Sequence, residues 1–193
     1  MTVQLSLRRL APSLSGRSFF ISLHAEGAAM TDRSTPAQRS FNMSRIRRGD
    51  TEPEMLLRRA LHSLGFRYAL HKRDLPGSPD IALAKYRTVI FVHGCFWHGH
   101  KCYRAKIPST RTDFWTKKIE GNRARDERVE GMLTALGWRV IVVWECALRG
   151  SRKIGPREAA ERCATFLRSA EVTKVEISMH SVEPSASLMG KEA

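Results

Sequence analysis

The sequence has no long hydrophobic run and comparatively few acidic residues. No apolar stretch approaches the roughly eighteen residues that would span a bilayer, so we expect neither an integral membrane protein nor a membrane partner. The 33 Lys and Arg residues outnumber the 19 Asp and Glu residues and give a formal net charge of +14. This excess favours a polyanionic partner, of which nucleic acid is the natural candidate. Charge alone indicates neither the fold nor the specificity.

Cysteine is also scarce, and its spacing excludes a secreted disulfide framework. The four cysteines are unevenly placed in a chain large enough to form its own core: Cys95, Cys102, Cys146 and Cys163. Such thiols are typical of a protein in the reducing cytosol. No internal repeat is present, and 193 residues give room for one domain with a core and two tails.

The two ends differ in composition from the middle. Residues 1–29 carry arginines, serines and apolar runs too short for a secretory signal, so either Met30 is the true start or they form a disordered extension. The last residues mix Ser, Glu, Pro and Lys with few large apolar side chains. We therefore expect a disordered or non-native extension over residues 1–37, the functional domain over residues 38–170 and a flexible tail over residues 171–193.

A basic arm precedes the first predicted helix. Residues 31–50 contain several arginines together with Phe41, Met43 and Ile46. Such an arm can be a disordered lead-in, or it can lie along DNA and insert an apolar side chain into a base step. The residues alone leave both interpretations open.

Residues 51–64 predict an amphipathic helix. Thr51 can cap it, Glu54 can complete a capping box, and Pro53 lies in the first turn, where its missing N–H does no harm. The expected buried stripe is Leu57, Ala60, Leu61 and Leu64. Arg58 is expected to face solvent or phosphate. Glu54 thus has a sufficient structural role, and local sequence makes a catalytic role the weaker interpretation.

A predicted β-hairpin brings an acidic side chain of one strand close to the end of the strand paired with it. Residues 66–70 predict a first strand, and residues 81–84 and 88–92 predict two antiparallel strands joined by three turn residues. This pairing places Asp80 near Val92. An acid beside imidazoles at a sheet edge can hold a divalent cation and activate water. An Asp after Pro is equally often a turn residue or a cap.

The strongest chemical signal follows the strand at residues 88–92. Within a few residues the chain places ligand-type and aromatic side chains: His93, Cys95, Phe96, Trp97, His98, His100 and Cys102. Cysteine sulfurs and imidazoles at the end of a buried strand are typical of a metal site held at a rigid edge of the sheet. The alternative interpretation is a buried strand followed by incidental histidines.

Three cysteines and one histidine form the combination of a closed, structural zinc site: Cys95, His100, Cys102 and Cys146. Their spacing is not a standard zinc-finger pattern. In the alternative, Cys146 is a buried small hydrophobe. If the four residues bind zinc, His93 and His98 remain available for acid–base chemistry near Asp80.

A long helix is predicted from its cap, Thr112, to Gly137. Its expected core stripe is Phe114, Ile119, Val129, Leu133 and Leu136. Another face carries Trp115, Lys118 and Asn122, which combine a stacking group, a cation and an amide that can pair with a base. Charged helix faces are more often only solvated.

The last core elements are predicted after the long helix. Residues 138–144 predict the last strand, and Pro156 starts a helix that covers the sheet. Cys163 lies in the buried stripe of that helix, and we expect it to be a core thiol.

Four motifs occur in a fixed order: P-G-S-P-D at 76–80, V-I-F-V-H-G-C-F-W-H-G-H-K-C at 89–102, T-R-T-D-F-W-T-K-K-I-x-x-N at 110–122, and G-W-R-V-I-V-V-W-E-C-A-L-R-G at 137–150. Over residues 38–152 the chain resembles the very short patch repair (Vsr) DNA mismatch endonucleases. The resemblance implies an α/β, restriction-endonuclease-like core, a mixed central β-sheet flanked by helices with a structural zinc site. It also implies an enzyme that nicks one strand 5′ of the T in a T:G mismatch left by deaminated 5-methylcytosine.

The resemblance further implies residue roles. Asp80 would bind Mg²⁺ together with the backbone carbonyl of Val92. His98 would act in acid–base chemistry, His93 would support the phosphate site, and Glu54 would be a secondary catalytic participant. The structural Zn²⁺ ligands would be Cys95, His100, Cys102 and Cys146. The aromatic wedge beside the mismatch would be formed by Phe96, Trp97 and Trp115, with Met43 approaching from the arm. The residues that contact the mispaired bases would be Lys118 and Asn122.

The implied partner is double-stranded DNA with a T:G mismatch, bound by a monomer in the bacterial cytoplasm, with possible recruitment by mismatch-repair proteins. Two departures from the family pattern are visible. Val92 stands where Thr is common, and Gly99 and Lys101 stand where the family often has further histidines. The alternative function is a zinc-stabilised, non-catalytic mismatch-binding module, which would leave Asp80 without a role.

Overall fold

A six-stranded mixed sheet organises the chain. The structure is a computed structural model, and the residues it describes are 35, 37–38, 41, 49–169, 172–180 and 182–184. The strands lie in chain order across the sheet: β1 Ala69–Leu70, β2 Ile81–Leu83, β3 Thr88–His93, β4 Arg139–Trp144, β5 Lys174–Ile177 and β6 Val182–Pro184. The first three strands are antiparallel, β3, β4 and β5 are parallel, and β6 returns antiparallel. The predicted mixed α/β architecture is confirmed.

Helices cover both faces of this sheet. They are α1 Glu52–Ser63, α2 Thr112–Ala135, α3 Glu145–Leu148 and α4 Pro156–Arg168, with a 3₁₀ turn at Ala84–Tyr86. Successive residues of β4 alternate between the two faces. Ile141 and Val143 pack in the core that contains α1 and α4, whereas Val140 and Val142 pack in the core of α2. No helix in the described ranges is long and apolar enough to cross a membrane.

The parallel pairing of β3 with β4 brings two distant segments to one edge of the sheet. The register runs from Thr88 opposite Arg139 to His93 opposite Trp144. Both strands therefore end at the same edge. The loop after β3 and the short helix α3 after β4 begin side by side there, which brings Cys95 and Cys146 into the same core.

The predicted antiparallel hairpin is confirmed, but four residues rather than three separate its strands. Ile81 pairs with Ile90, so the register differs by one residue from the predicted one, in which Asp80 lies opposite Val92. The first strand is only Ala69–Leu70 rather than residues 66–70, because Phe66 turns into the core, where it is buried. Ala84 opens the 3₁₀ turn instead of extending β2.

Two expectations for helix α1 are wrong. Arg58 does not face solvent, since it is only 4% exposed. Leu64 follows the last helical residue and is exposed, so it does not belong to the buried stripe. The capping box also differs from the prediction: the Thr51 hydroxyl donates to the Glu54 carboxylate, which accepts the backbone N–H of Asp50.

Helix α2 differs from its prediction at both ends. Arg111, with a left-handed φ of 57°, precedes the helix, and Thr112 is its first residue rather than its cap. Ile119, Val129 and Leu133 are buried as predicted. Phe114 and Leu136, at the two ends of the expected stripe, are exposed. Phe114 lies in the first turn of the helix, and Leu136 lies beyond its last residue.

The predicted flexible tail over residues 171–193 is wrong for the strands that it contains. Lys174–Ile177 pairs in parallel with β4, so residues 138–144 are not the last core strand. Val175 and Ile177 alternate into the core between polar neighbours. This period of two is the pattern of a half-buried strand, and the sheet therefore extends past the predicted domain boundary at residue 170.

Candidate active site

Asp80 immediately precedes β2, beside the carboxyl end of β3. The backbone N–H of Val92 donates a 2.7 Å hydrogen bond to Oδ2 of Asp80, so the predicted proximity is confirmed. Burial raises the pKa of Asp80 to about 6, the Val92 hydrogen bond opposes this increase, and the negative charge of Glu54 adds to it. The carboxylate thus lies in a site that disfavours its charged form unless a cation is nearby.

A tight turn before Asp80 packs against helix α2. Gly77 has a φ of 73°, and a Cβ on it would lie 2.4 Å from Cγ1 of Val129. The backbone N–H of Ser78 donates to the carbonyl of Leu75 at 3.1 Å, which closes the turn. Only glycine combines this φ with this close approach at low cost, so the turn fixes where Asp80 enters the sheet.

His93 and His98 are stacked on each other and line the same cavity as this carboxylate. Their ring centroids are 3.8 Å apart, with an interplanar angle of 8°. Burial, and after it the neighbouring His98, lower the pKa of His93 to about 3, so His93 is neutral at neutral pH. The structure brings these two predicted residues together as expected.

Asp126 of helix α2 contacts the histidine pair through His98. Its Oδ2 lies 2.5 Å from Nδ1 of His98. Burial raises the pKa of Asp126, but the hydrogen bond and charge of His98 outweigh burial and lower it. The ligand-type atoms of Asp126, His93 and His98 all lie within 4.8 Å of one another. A carboxylate that fixes one ring nitrogen leaves the other available for proton transfer.

Glu54 lines the same cavity and belongs to a charged network in which Glu54 and Arg58 are buried and Asp50 is exposed. Its Oε2 accepts a 2.9 Å hydrogen bond from Nη2 of Arg58, and Nη2 also lies 3.0 Å from Nε2 of His71. Nη1 of Arg58 pairs with Asp50. Of the residues in this network, only Glu54 was a predicted site residue.

One cavity joins these groups. It has a volume of about 970 Å³ and is lined by both sides of the site, including Asp50, Glu54, His71, Asp80, Val92, His93, His98, Arg125 and Asp126. Carboxylates, imidazoles and a cationic side chain therefore face one space large enough for a phosphodiester group and its waters.

The predicted zinc ligands form a compact cluster behind the histidine pair. One ligand atom from each of Cys95, His100, Cys102 and Cys146 lies within 4.8 Å of every other. Sγ of Cys146 lies 3.5 Å from Nδ1 of His100. A hydrogen bond from the Cys95 thiol lowers the pKa of Cys146, so the cluster favours a thiolate. Three sulfurs and one imidazole at this separation suit a tetrahedral metal ion.

Aromatic side chains form a second group on the same loop. Phe96, Trp97 and Trp115 meet edge to face, with centroids 5.0 to 6.1 Å apart. Asn122 donates a 2.8 Å hydrogen bond from Nδ2 to the carbonyl of Trp97, and Lys118 lies exposed one turn earlier on α2. The structure thus brings these five predicted residues together. The sixth, Met43, lies outside the described residues.

Four residues of the site were not found from the sequence. They are Asp50, Arg58, His71 and Asp126. Only Asp126 had a usable signal, because it lies four residues after Asn122 and so on the same helix face.

A carboxylate and paired imidazoles in one cavity of a strongly basic chain define the class of nucleic-acid hydrolases. Residues 31–104 match the family DNA mismatch endonuclease Vsr. The chain is 54% identical over 119 residues to the Type II nicking enzyme V.XorIIP of Xanthomonas oryzae pv. oryzae, covering 62% of this chain and 88% of that enzyme. The Type II nicking enzyme V.NmeAIP of Neisseria meningitidis serogroup A is 49% identical over 141 residues, covering 73% of this chain and 99% of that enzyme.

The DNA mismatch endonuclease Vsr of Escherichia coli K12 is 47% identical over 138 residues, covering 72% of this chain and 88% of that enzyme. The chain belongs to the DNA mismatch endonuclease Vsr family. The family resemblance inferred from the four sequence motifs is confirmed.

Proposed function

We propose that the chain nicks one strand of duplex DNA on the 5′ side of the T in a T:G mismatch that arises from deaminated 5-methylcytosine, and so initiates very short patch repair. The observation that carries this proposal is the convergence of Asp80 with the stacked pair His93 and His98 on one cavity. The names of the relatives, mismatch endonuclease and nicking enzyme, support the same reaction class.

Asp80 and the backbone carbonyl of Val92 would hold a Mg²⁺ ion in this reaction. The fit rests on the carboxylate itself: burial raises the pKa of Asp80 to about 6, which a bound cation would reverse. Mg²⁺ prefers oxygen ligands and keeps several waters, so one carboxylate and one carbonyl suffice. When bound, the ion would neutralise charge on the phosphate and lower the pKa of a bound water.

The two histidines would transfer a proton and bind the phosphate. His98, oriented by Asp126, exchanges a proton with the reacting water or with the leaving oxygen. His93 is neutral and donates or accepts a hydrogen bond at the phosphate without adding charge. Glu54 orders the opposite wall of the cavity as a secondary catalytic participant.

Mismatch recognition would fall to the aromatic cluster. Phe96, Trp97 and Trp115 form a wedge beside the mismatch, with Met43 approaching from the arm. A T:G wobble stacks less well than a matched pair, so unstacking costs less there. Lys118 and Asn122 would contact the mispaired bases, and Asn122 already holds the backbone of Trp97.

The remaining parts of the proposal concern the metal cluster, the fold and the cellular location. The cluster of Cys95, His100, Cys102 and Cys146 holds a structural Zn²⁺. The sheet and its helices form a restriction-endonuclease-like core, preceded by the extension over residues 1–37. The enzyme acts as a monomer in the bacterial cytoplasm, where mismatch-repair proteins recruit it.

Strand-specific nicking tests the proposal. Duplexes with one T:G mismatch in several methylase-site contexts are incubated with Mg²⁺ and wild type, Asp80→Ala or Asp74→Asn. Asp74 is an exposed acid on the same loop and serves as the control. We expect nicking 5′ of the T by wild type and Asp74→Asn, and none by Asp80→Ala. Tight mismatch binding without nicking in any context would replace the enzyme with the zinc-stabilised, non-catalytic binding module.

A further inference from the structure

The stacked histidines also line a second cavity, which Asp80 does not line. This cavity has a volume of about 390 Å³, and its lining includes His93, His98, Asp126, Glu130, Trp144, Lys174 and Glu176. The histidine pair and Asp126 therefore line both cavities. Contacts made in the second cavity can thus determine how these three side chains lie in the first.

Lys174 of strand β5 pairs with a carboxylate of helix α2 in the second cavity. Its Nζ lies 2.6 Å from Oε2 of Glu130 and 3.2 Å from Oε1 of Glu176. Lys174 lies opposite Val140 in the parallel pairing of β5 with β4, so its backbone is fixed to the sheet. The ion pair with Glu130 therefore ties α2 to the sheet.

This tie lies one helical turn from the residue that contacts His98. Asp126 and Glu130 are four residues apart on α2 and share a helix face. Oδ2 of Asp126 lies 2.5 Å from Nδ1 of His98. Only three side chains of this 24-residue helix are buried: Ile119, Val129 and Leu133. Apolar packing therefore holds α2 at few points, and the ion pair adds one beside Asp126.

Glu176 extends the network to the other histidine. Its Oε2 accepts a 2.9 Å hydrogen bond from Nε1 of Trp144, whose ring meets His93 edge to face at a centroid distance of 5.5 Å. Burial raises the pKa of Glu130, Lys174 opposes this increase, and the charge of Glu176 adds to it. The two carboxylates thus repel each other, and the ammonium of Lys174 holds them together.

We propose that Lys174 is a positioning residue that holds Asp126 against His98 by joining Glu130 of α2 to Glu176 of β5. The inference rests on the proposed function in giving His98 a proton to transfer. An ion pair of this exposure contributes little to stability, whereas a misplacement of about 1 Å at a reacting group can slow a reaction about 100-fold. Loss of the tie should therefore affect the rate more than the fold.

Substitutions that remove the charge of Lys174 test the inference. Lys174→Met should slow single-turnover nicking of a T:G duplex about 10- to 100-fold, with unchanged mismatch binding in a gel-shift assay. Lys174→Arg keeps the charge and should retain the rate. Arg162→Met is the matched control: it also removes one cation paired with a glutamate, and the side chains of Arg162 and Lys174 are 27% and 26% exposed. An equal loss in the control, or a loss of binding that accounts for the loss of rate, would overturn the inference.

Glu130→Gln makes the test independent of whether Lys174→Met folds. It removes the other half of the tie and should slow nicking to the same extent. Because both changes break one interaction, the double variant should be no slower than either single variant. Additive losses would overturn the inference.

The imidazole signals of His98 give a readout that does not depend on nicking. Ring ¹⁵N–¹H correlation spectra are recorded on the zinc-loaded chain without DNA, and the His98 signals are assigned with His98→Gln. We expect them to shift in Lys174→Met and Glu130→Gln but not in Lys174→Arg or Arg162→Met. Unchanged His98 signals in folded Lys174→Met, or an unchanged rate where wild type nicks, would overturn the inference. If wild type does not nick, the proposed function fails, and the His98 signals alone decide the position of Asp126.

Discussion

The backbone N–H of Val92 donates a 2.7 Å hydrogen bond to the side chain of Asp80. This bond joins the carboxylate to the last residues of β3, directly before the histidine-bearing loop. The position of the acid relative to His93 therefore depends on the hairpin register, and a slip of one residue would turn every side chain of the strand to the other face.

Asp80→Asn should abolish nicking yet stabilise the fold. The pKa of Asp80 is raised to about 6, so the folded state binds more protons than the unfolded state between about pH 4 and pH 6. The free energy of unfolding therefore falls as the pH rises through this window. The increase over the usual value corresponds to at most about 3 kcal/mol at neutral pH. The free energies of unfolding of Asp80→Asn and wild type, measured in urea without added divalent ions, should differ at pH 7.5 and converge below pH 4. An equal difference at both pH values would contradict the raised pKa of Asp80.

Asp126→Asn should slow nicking about 100-fold while mismatch binding stays unchanged. The amide cannot balance a protonated His98, so the proton transfer loses its electrostatic support. Single-turnover nicking and a gel-shift assay separate the two effects. The adjacent, exposed Glu127 provides the control as Glu127→Gln. A similar loss in both variants would indicate a general charge effect on DNA binding.

Cys146→Ala should remove one zinc per chain and lower the melting temperature, because binding by a structural site contributes directly to folding. Cys163→Ala is the matched control, since Cys163 is equally buried but lies outside the cluster. Elemental analysis after gel filtration measures the zinc content. Full zinc occupancy in Cys146→Ala would show that the cluster is not the zinc site.

Gly77→Ala should destabilise the protein by about 1–3 kcal/mol, through both its left-handed backbone and the contact with Val129. Gly131→Ala in helix α2 has no atom within 4 Å of its added methyl group. This control should stabilise the protein by about 0.5–1 kcal/mol. Chemical denaturation measures both. Nicking should fall only in Gly77→Ala, whose turn positions Asp80.

Much of the site could be predicted because short-range geometry determines it. The short connection between β2 and β3 fixes the antiparallel pairing that brings Asp80 to the backbone N–H of Val92. The clustering of Cys95, His100, Cys102 and Cys146 could be predicted because three cysteines and a histidine are residue types that bind a metal ion together.

The remaining elements depend on contacts that a single sequence does not encode locally. Arg58 is buried because acids and a histidine from separate segments surround it, and nothing in its own helix indicates this. Asp126 shares a helix face with Asn122, but its contact with His98 depends on how α2 packs against the loop after β3. Strand β5 has two large apolar residues in a polar segment, too few to distinguish it from a tail.

The proposed zinc cluster draws its ligands from two separate stretches of chain. Cys95, His100 and Cys102 precede helix α2, whereas Cys146 follows β4. During synthesis, three ligands leave the ribosome well before the fourth, and the tetrahedral site closes only after β4 has emerged and paired with β3. If the cluster binds zinc as proposed, zinc capture is therefore a late event that stabilises the pairing of β3 with β4. A cell short of zinc would then accumulate chains whose β3 edge is still open to aggregation.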